Sequence, residues 1–332
     1  MNARGILAIG VLAAWGAGIA AFAQRELSRS PRERLAEAAT RVAPGATYFA
    51  VERDGKHVGF ASTTIDTIAG GLKATDYFVA DLVVGDSVQR TTAQSVVHLS
   101  RGLALRDFAI TFGTSAQPTV VDGRIVGDTL LEYSVRRPVG APTTTRVRLG
   151  GPLLLPTQVP LAIALGTAPK VGDAHTVDTF DPITLTVRTV NYALRAESLF
   201  VLVDSAAYDA GTKRWAGVHA DTVHGWHLVS TGTEPFDGWT DNLGRMISVQ
   251  AASGLTMRRV AYEMAFENWR TSSATSGERF PNDSAPGQLP ENALHKRIVV
   301  GRLQAPTELA QGHGALQAGV PRRHDRPHAR QP

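Results

Sequence analysis

From Tyr48 onward, hydrophobic and polar positions alternate with a period of two. The stretch "TYFAVERDGKHVGFAST" sets Tyr48, Ala50 and Glu52 against Phe49 and Val51, pauses at Asp54-Gly55, and resumes through Val58 and Phe60. Successive side chains of a strand point to opposite faces, so this spacing predicts a β-hairpin turning at Asp-Gly. Further strand-like runs follow: "TDYFVADLVV", "TTAQSVVHLS", "LRDFAITFG", "PTVVDGRIVGDTLLEYSVRR" and "TTTRVRLGG". A later series has the same rhythm: "AHTVDTFD", "TLTVRTVNY", "SLFVLVDSA", "KRWAGVHAD", "GWHLVSTG", "DGWTDNLGRMISVQAA" and "TMRRVAYEMAFENW". Gly, Asp or Ser punctuates nearly every run. Short strands without long amphipathic helices between them predict a mainly antiparallel sheet.

Between the two series, "GPLLLPTQVPLAIALGTAPKVGD" breaks the alternation. Pro152, Pro156 and Pro160 forbid one long helix, and Leu161–Leu165 can form a short apolar one. Such a segment suits a plug closing the open face of a curved sheet, or a lid over a hydrophobic ligand. The expected fold class is mainly β (α+β), with one or more large curved antiparallel sheets over residues 47–270 and a short central helical segment.

The N-terminus follows a different pattern. Nineteen uncharged, mostly apolar residues, Gly5 to Ala23, lie between Arg4 and Arg25. As a helix they would span about 28 Å, enough to cross a hydrocarbon core. Residues 1–24 are therefore expected to be a transmembrane anchor, with Ile6, Leu7, Ile9, Val11, Leu12, Trp15, Ile19 and Phe22 in the lipid bilayer, or a signal peptide cut after Ala21-Phe22-Ala23. Ser30, Pro31 and Glu33 mark a helix start and Pro44-Gly45 a stop, giving a juxtamembrane helix within residues 25–46. Arg25, Arg29, Arg32 and Arg34 follow the span, and by the positive-inside rule alone they would hold the body in the cytoplasm. The export-like leader argues the opposite. The expected location is the inner membrane, with the body extracytoplasmic (periplasmic).

Composition narrows the chemistry. The formal charge is +4, and Arg322, Arg323, Arg326 and Arg330 crowd the C-terminus, so the body is close to neutral. No basic face for nucleic acid is expected. There is no cysteine, which excludes disulfides, thiolate zinc sites and a cysteine nucleophile. The chain carries no G-x-S-x-G elbow, Walker-type loop, G-x-G-x-x-G after a strand, H-E-x-x-H or EF-hand loop.

A few clusters remain. His219 and Asp221 are two apart and share a strand face, whereas His224 and His227 face opposite sides. The expectation is exposed or locally bonded histidines, not a metal site. Glu234, Asp237 and Asp241 surround Trp239 in "TEPFDGWTDNLGR", which reads as a strand ending in a tight Asp-Asn-Leu-Gly turn. Trp215, Trp226, Trp239 and Trp269 are expected to fill the sheet core or line its edge. No catalytic residue, metal or cofactor is expected.

Three stretches carry a resemblance: "RLAEAATRVAPGATYFAVERDGKHVGFASTTIDT", "GPLLLPTQVPLAIALG" and "GWTDNLGRMISVQAASGLTMRRVAYEMAFENWR". Over residues 34–270 the chain resembles the membrane-anchored N-terminal β domain that precedes a transglutaminase-like domain in some bacterial extracytoplasmic proteins. The resemblance implies an anchor and a β-rich periplasmic domain acting as a non-catalytic scaffold or accessory region. The family's Cys-His-Asp chemistry would belong to a later domain. Residues 271–332 read as a polar linker and basic tail, in place of the further strands the resemblance implies. A shifted reading frame near Gly301, a tolerated disordered tail, or a lipid or nucleic-acid arm would each account for it. The alternative function is a periplasmic binder of an apolar, lipid-like ligand enclosed by the Leu153–Leu165 segment and a curled sheet; a lining of Val, Leu and Phe with few charges would support it, and a solid packed interior would exclude it. An unrecognised hydrolase is the remaining possibility, and a protein partner is undefined.

Overall fold

The computed structural model describes residues 42, 44–84, 86–166, 169–231 and 235–275. The predicted anchor, nearly all of the juxtamembrane helix and the basic tail lie outside them. Among the described residues no helix is long and apolar enough to cross a membrane.

The alternation builds one 15-stranded sheet. Eight strands form a meander: β1 (Gly45–Arg53), β2 (Lys56–Ile68), β3 (Gly71–Val84), β4 (Ser87–Ser100), β5 (Leu105–Thr114), β6 (Gln117–Val126), β7 (Leu130–Arg136) and β8 (Thr143–Arg148). The rest is β9 (Leu153–Leu154), β10 (Ala174–Asp181), β11 (Thr186–Asp209), β12 (Arg214–Ser230), β13 (Asp237–Asp241), β14 (Met246–Gln250) and β15 (Leu255–Val260). β15 pairs antiparallel with β1, so the later meander continues the earlier one backwards and ends on β9, which pairs parallel with β10. The predicted turn at Asp54-Gly55 forms with both residues at positive φ (50° and 73°), the geometry that matches strand twist in a two-residue hairpin.

The sheet curls, and its inner face carries the core. Leu72 and Ala74, Val97 and Leu99, Phe108 and Ile110, and Leu131, Tyr133 and Val135 alternate inward, with Phe180 of β10 in the same cluster. Phe180 meets Phe108 and Tyr133 at ring-centroid distances of 5.4 and 5.0 Å, although β10 lies far from β5 and β7 in strand order. The Tyr133 hydroxyl donates to the Leu185 carbonyl at 3.2 Å, joining the same two ends.

The proline-punctuated segment fills the space between them. A 3-10 turn, Pro156–Gln158, leads into α1 (Val159–Gly166). Leu153, Leu155 and Leu161 bury in the main cluster, while Val159 and Ile163 bury against Tyr192, Leu194 and Leu228. An all-round apolar helix belongs in an interior, and this one is the predicted plug. Two of the resemblance stretches meet on it. At Gly244 of the "DNLG" turn (φ 73°) a Cβ would stand 2.4 Å from the Leu161 Cα and 2.8 Å from the Pro160 carbonyl.

Two sequence readings need correction. "TMRRVAYEMAFENW" is a strand only to Val260; a π-helical turn, Glu263–Glu267, and α2 (Asn268–Thr275) follow, extending helix into the stretch read as linker. Tyr262, Phe266 and Trp269 stand at i, i+4 and i+7 and lay one helical face over the outer side of the sheet. Phe60 is fully buried there, with Tyr262 and Phe266 edge-on at 6.1 and 5.3 Å. The other correction joins runs: "TLTVRTVNY" with "SLFVLVDSA" is the single strand β11, and "KRWAGVHAD" with "GWHLVSTG" is β12.

Candidate functional site

β11 and β12 outrun their neighbours. β10 pairs with β11 only to Ala193, and β13 pairs with β12 only from Gly225. The intervening residues form a two-stranded arm whose tip reaches the C-terminal helix. Asn268 holds it: its Oδ1 accepts from the Trp215 N–H at 2.8 Å and its Nδ2 donates to the Trp215 carbonyl at 2.9 Å. One side-chain amide thereby serves a strand as a partner strand would. The clamped tip, the β1–β2 turn, β15 and the helix enclose a cleft of about 710 Å³ on the outer face.

The cleft walls are mixed. Ala50, Val260, Met264 and Trp215 supply apolar surface; Lys56, Arg214, Arg258, Glu52 and His57 supply polar atoms. Arg258 donates to Glu52 at 2.9 Å, which neutralises the only acid of the lining. Lys56 and Arg214 make no ion pair among the described residues, so the cleft is net cationic. Burial pushes the His57 pKa below its ordinary value; the Arg214 charge adds to this, while Glu52 and the carbonyls of Gly59 and Ala265 oppose it. The His57 Nε2 is enclosed without a hydrogen-bond partner.

The clusters predicted from sequence separate in the structure. His219 and Asp221 do share a face, and Asp204 of β11 joins them, with one oxygen or nitrogen of each within 4.8 Å of the others. All three are exposed, and a His219 ring nitrogen bonds Asp204 at 2.8 Å, raising the His219 pKa. The donor types would suit a hard or borderline cation. His224 instead lies 3.5 Å from Glu197, and His227 stacks on Trp239 (4.7 Å) and bonds Asp237 at 2.8 Å.

Asp241 is structural. Fully buried, it accepts from the backbone N–H groups of Leu243 and Arg245 (both 2.9 Å), Arg245 Nε (2.7 Å) and Arg259 (3.1 Å). Four donors on one carboxylate close the predicted Asp-Asn-Leu-Gly turn. Glu234 lies outside the described residues. Trp226 packs against the inner cluster of Tyr192 and Leu228. Trp269 sits on the helix, not on a strand, with the Arg90 guanidinium 5.0 Å above its ring. Trp215 lines the cleft. Sequence reasoning missed the cleft because its lining comes from four separate segments, none of which carries a motif.

No family model and no curated protein matches this chain. Among solved structures it is similar to a crystal structure of a beta-barrel-like protein of a domain of unknown function, DUF1849, from Brucella abortus. The two are 11% identical, with 66% of this chain and 96% of that chain covered, at a TM-score of 0.43. None of this concerns transglutaminase-like proteins. The chain's architecture is established by its own strand order: a single curled, mainly antiparallel sheet with short helices on either face.

Proposed function

We propose that this chain is a non-catalytic accessory β domain that works by binding, tethered to the inner membrane by its N-terminal segment with its body outside the cytoplasm. One observation carries the binding role: a strand pair leaves the sheet, is clamped by Asn268, and thereby encloses a cleft. The apolar stretch Gly5–Ala23 supports the tether, and the three resemblance stretches support an accessory role beside a transglutaminase-like domain. Leu153, Leu155 and Leu161 pack into the core, so the binding reading rests on the outer cleft and not on a cavity behind Leu153–Leu165.

Placement is tested by fusing a fluorescent protein that matures only in the cytosol after Thr275, with everything from Met1 kept. Membrane-fraction protein with dark cells is the expected result; bright cells would overturn the extracytoplasmic reading.

A further inference from the structure

We infer that the outer cleft binds a small amphiphile, with a phosphate or carboxylate head between Lys56 and Arg214 and an apolar chain along Trp215, Val260 and Met264. This deepens the binding role proposed above and rests on it.

Charge points to an anion. The lining holds Lys56, Arg214 and Arg258 against Glu52 alone, and the Arg258–Glu52 contact at 2.9 Å consumes one charge of each sign. Two cations from different elements then face one space, the arrangement in which an anion accepts charge-assisted bonds from both sides.

The other walls point to an apolar chain. Ala50 and Val260 are buried at the cleft floor, Met264 is half-buried, and the half-buried Trp215 ring is fixed edge-on to Tyr208 at 5.8 Å. A methionine and an indole suit a flexible hydrocarbon, the one by adapting and the other by presenting a broad rigid surface. A volume of about 710 Å³ falls in the range of small-molecule sites. The basic C-terminal tail carries the wrong charge for this cleft.

The test uses the full chain in dodecyl maltoside, titrated calorimetrically with hexyl phosphate, hexanoate, inorganic phosphate and hexanol. Hexyl phosphate or hexanoate should bind saturably, and inorganic phosphate and hexanol at least about tenfold more weakly, since each lacks one half of the ligand. Both Lys56 and Arg214 are exposed, so Lys56→Gln and Arg214→Gln should fold normally, and each should weaken binding about tenfold. Arg136→Gln, on a distant strand, should leave it unchanged. Equal binding of inorganic phosphate would overturn the amphiphile in favour of a free anion. Saturable binding that both cleft variants retain would overturn the cleft while leaving the binding role intact. No saturable binding of any probe to the folded chain would overturn the inference, and the reporter result would still decide the placement.

Discussion

Asp241 shows how a residue that looks chemical can be spent on structure. Its carboxylate is fully buried and held by two arginines and two backbone amides. Removing one partner of such a network leaves charges uncompensated. Asp241→Ala should lower stability by about 3–5 kcal/mol in urea unfolding, and a loss under about 1 kcal/mol would contradict this account. Asp241→Asn keeps an acceptor for the two backbone amides and should cost less.

His57 gives the residue scale a pH signature. Its folded pKa lies below the ordinary 6.5, so between those values the unfolded chain binds more protons than the native one. Stability from this group is full above pH 6.5 and is lost as pH falls through that window. Urea midpoints of wild type and His57→Gln at pH 5 and 7.5 isolate it: the wild type should lose more on acidification. An equal loss in both would refute the burial of a neutral imidazole.

At the scale of elements, legibility tracked burial. Where one face packs on the core, as in Leu131, Tyr133 and Val135 of β7, alternation announced the strand. The arm has no such constraint. Leu199, Val201 and Val218 are exposed there, and register shifts at Leu194/Ala196 and Val203/Ser205 interrupt the period, so one strand read as two. The run after Val260 misled for the opposite reason. Its helical spacing was present, at Tyr262, Phe266 and Trp269, but the alternation before it hid the change of period. The clamp was invisible because Asn268 and Trp215 are distant in sequence. Asn268→Leu removes both clamp bonds and should free the arm tip alone. Trypsin should cut faster at Lys213 and Arg214, with little change in Tm. Unchanged cleavage would mean the arm is held by something else.

At the scale of the whole molecule, the described residues form a single sheet whose two halves meet around one plug, and the proposed ligand site follows from that geometry. Inside, Leu153, Leu155, Leu161 and Phe180 leave a packed core. Outside, the arm and the C-terminal helix leave an amphipathic cleft. The sequence correctly pointed to the plug and to the curled sheet, and it set packing against a ligand cavity as the alternative to be decided. It could not show the cleft on the other face, where the arm returns to the helix.

Hydrogen exchange on the full chain, with and without saturating hexyl phosphate, separates the two faces directly. The account predicts slowed exchange at residues 52–57, 214–217 and 264–272 and no change around Leu153–Leu165. Protection confined to Leu153–Leu165 and Phe180, with the cleft unaffected, would contradict it.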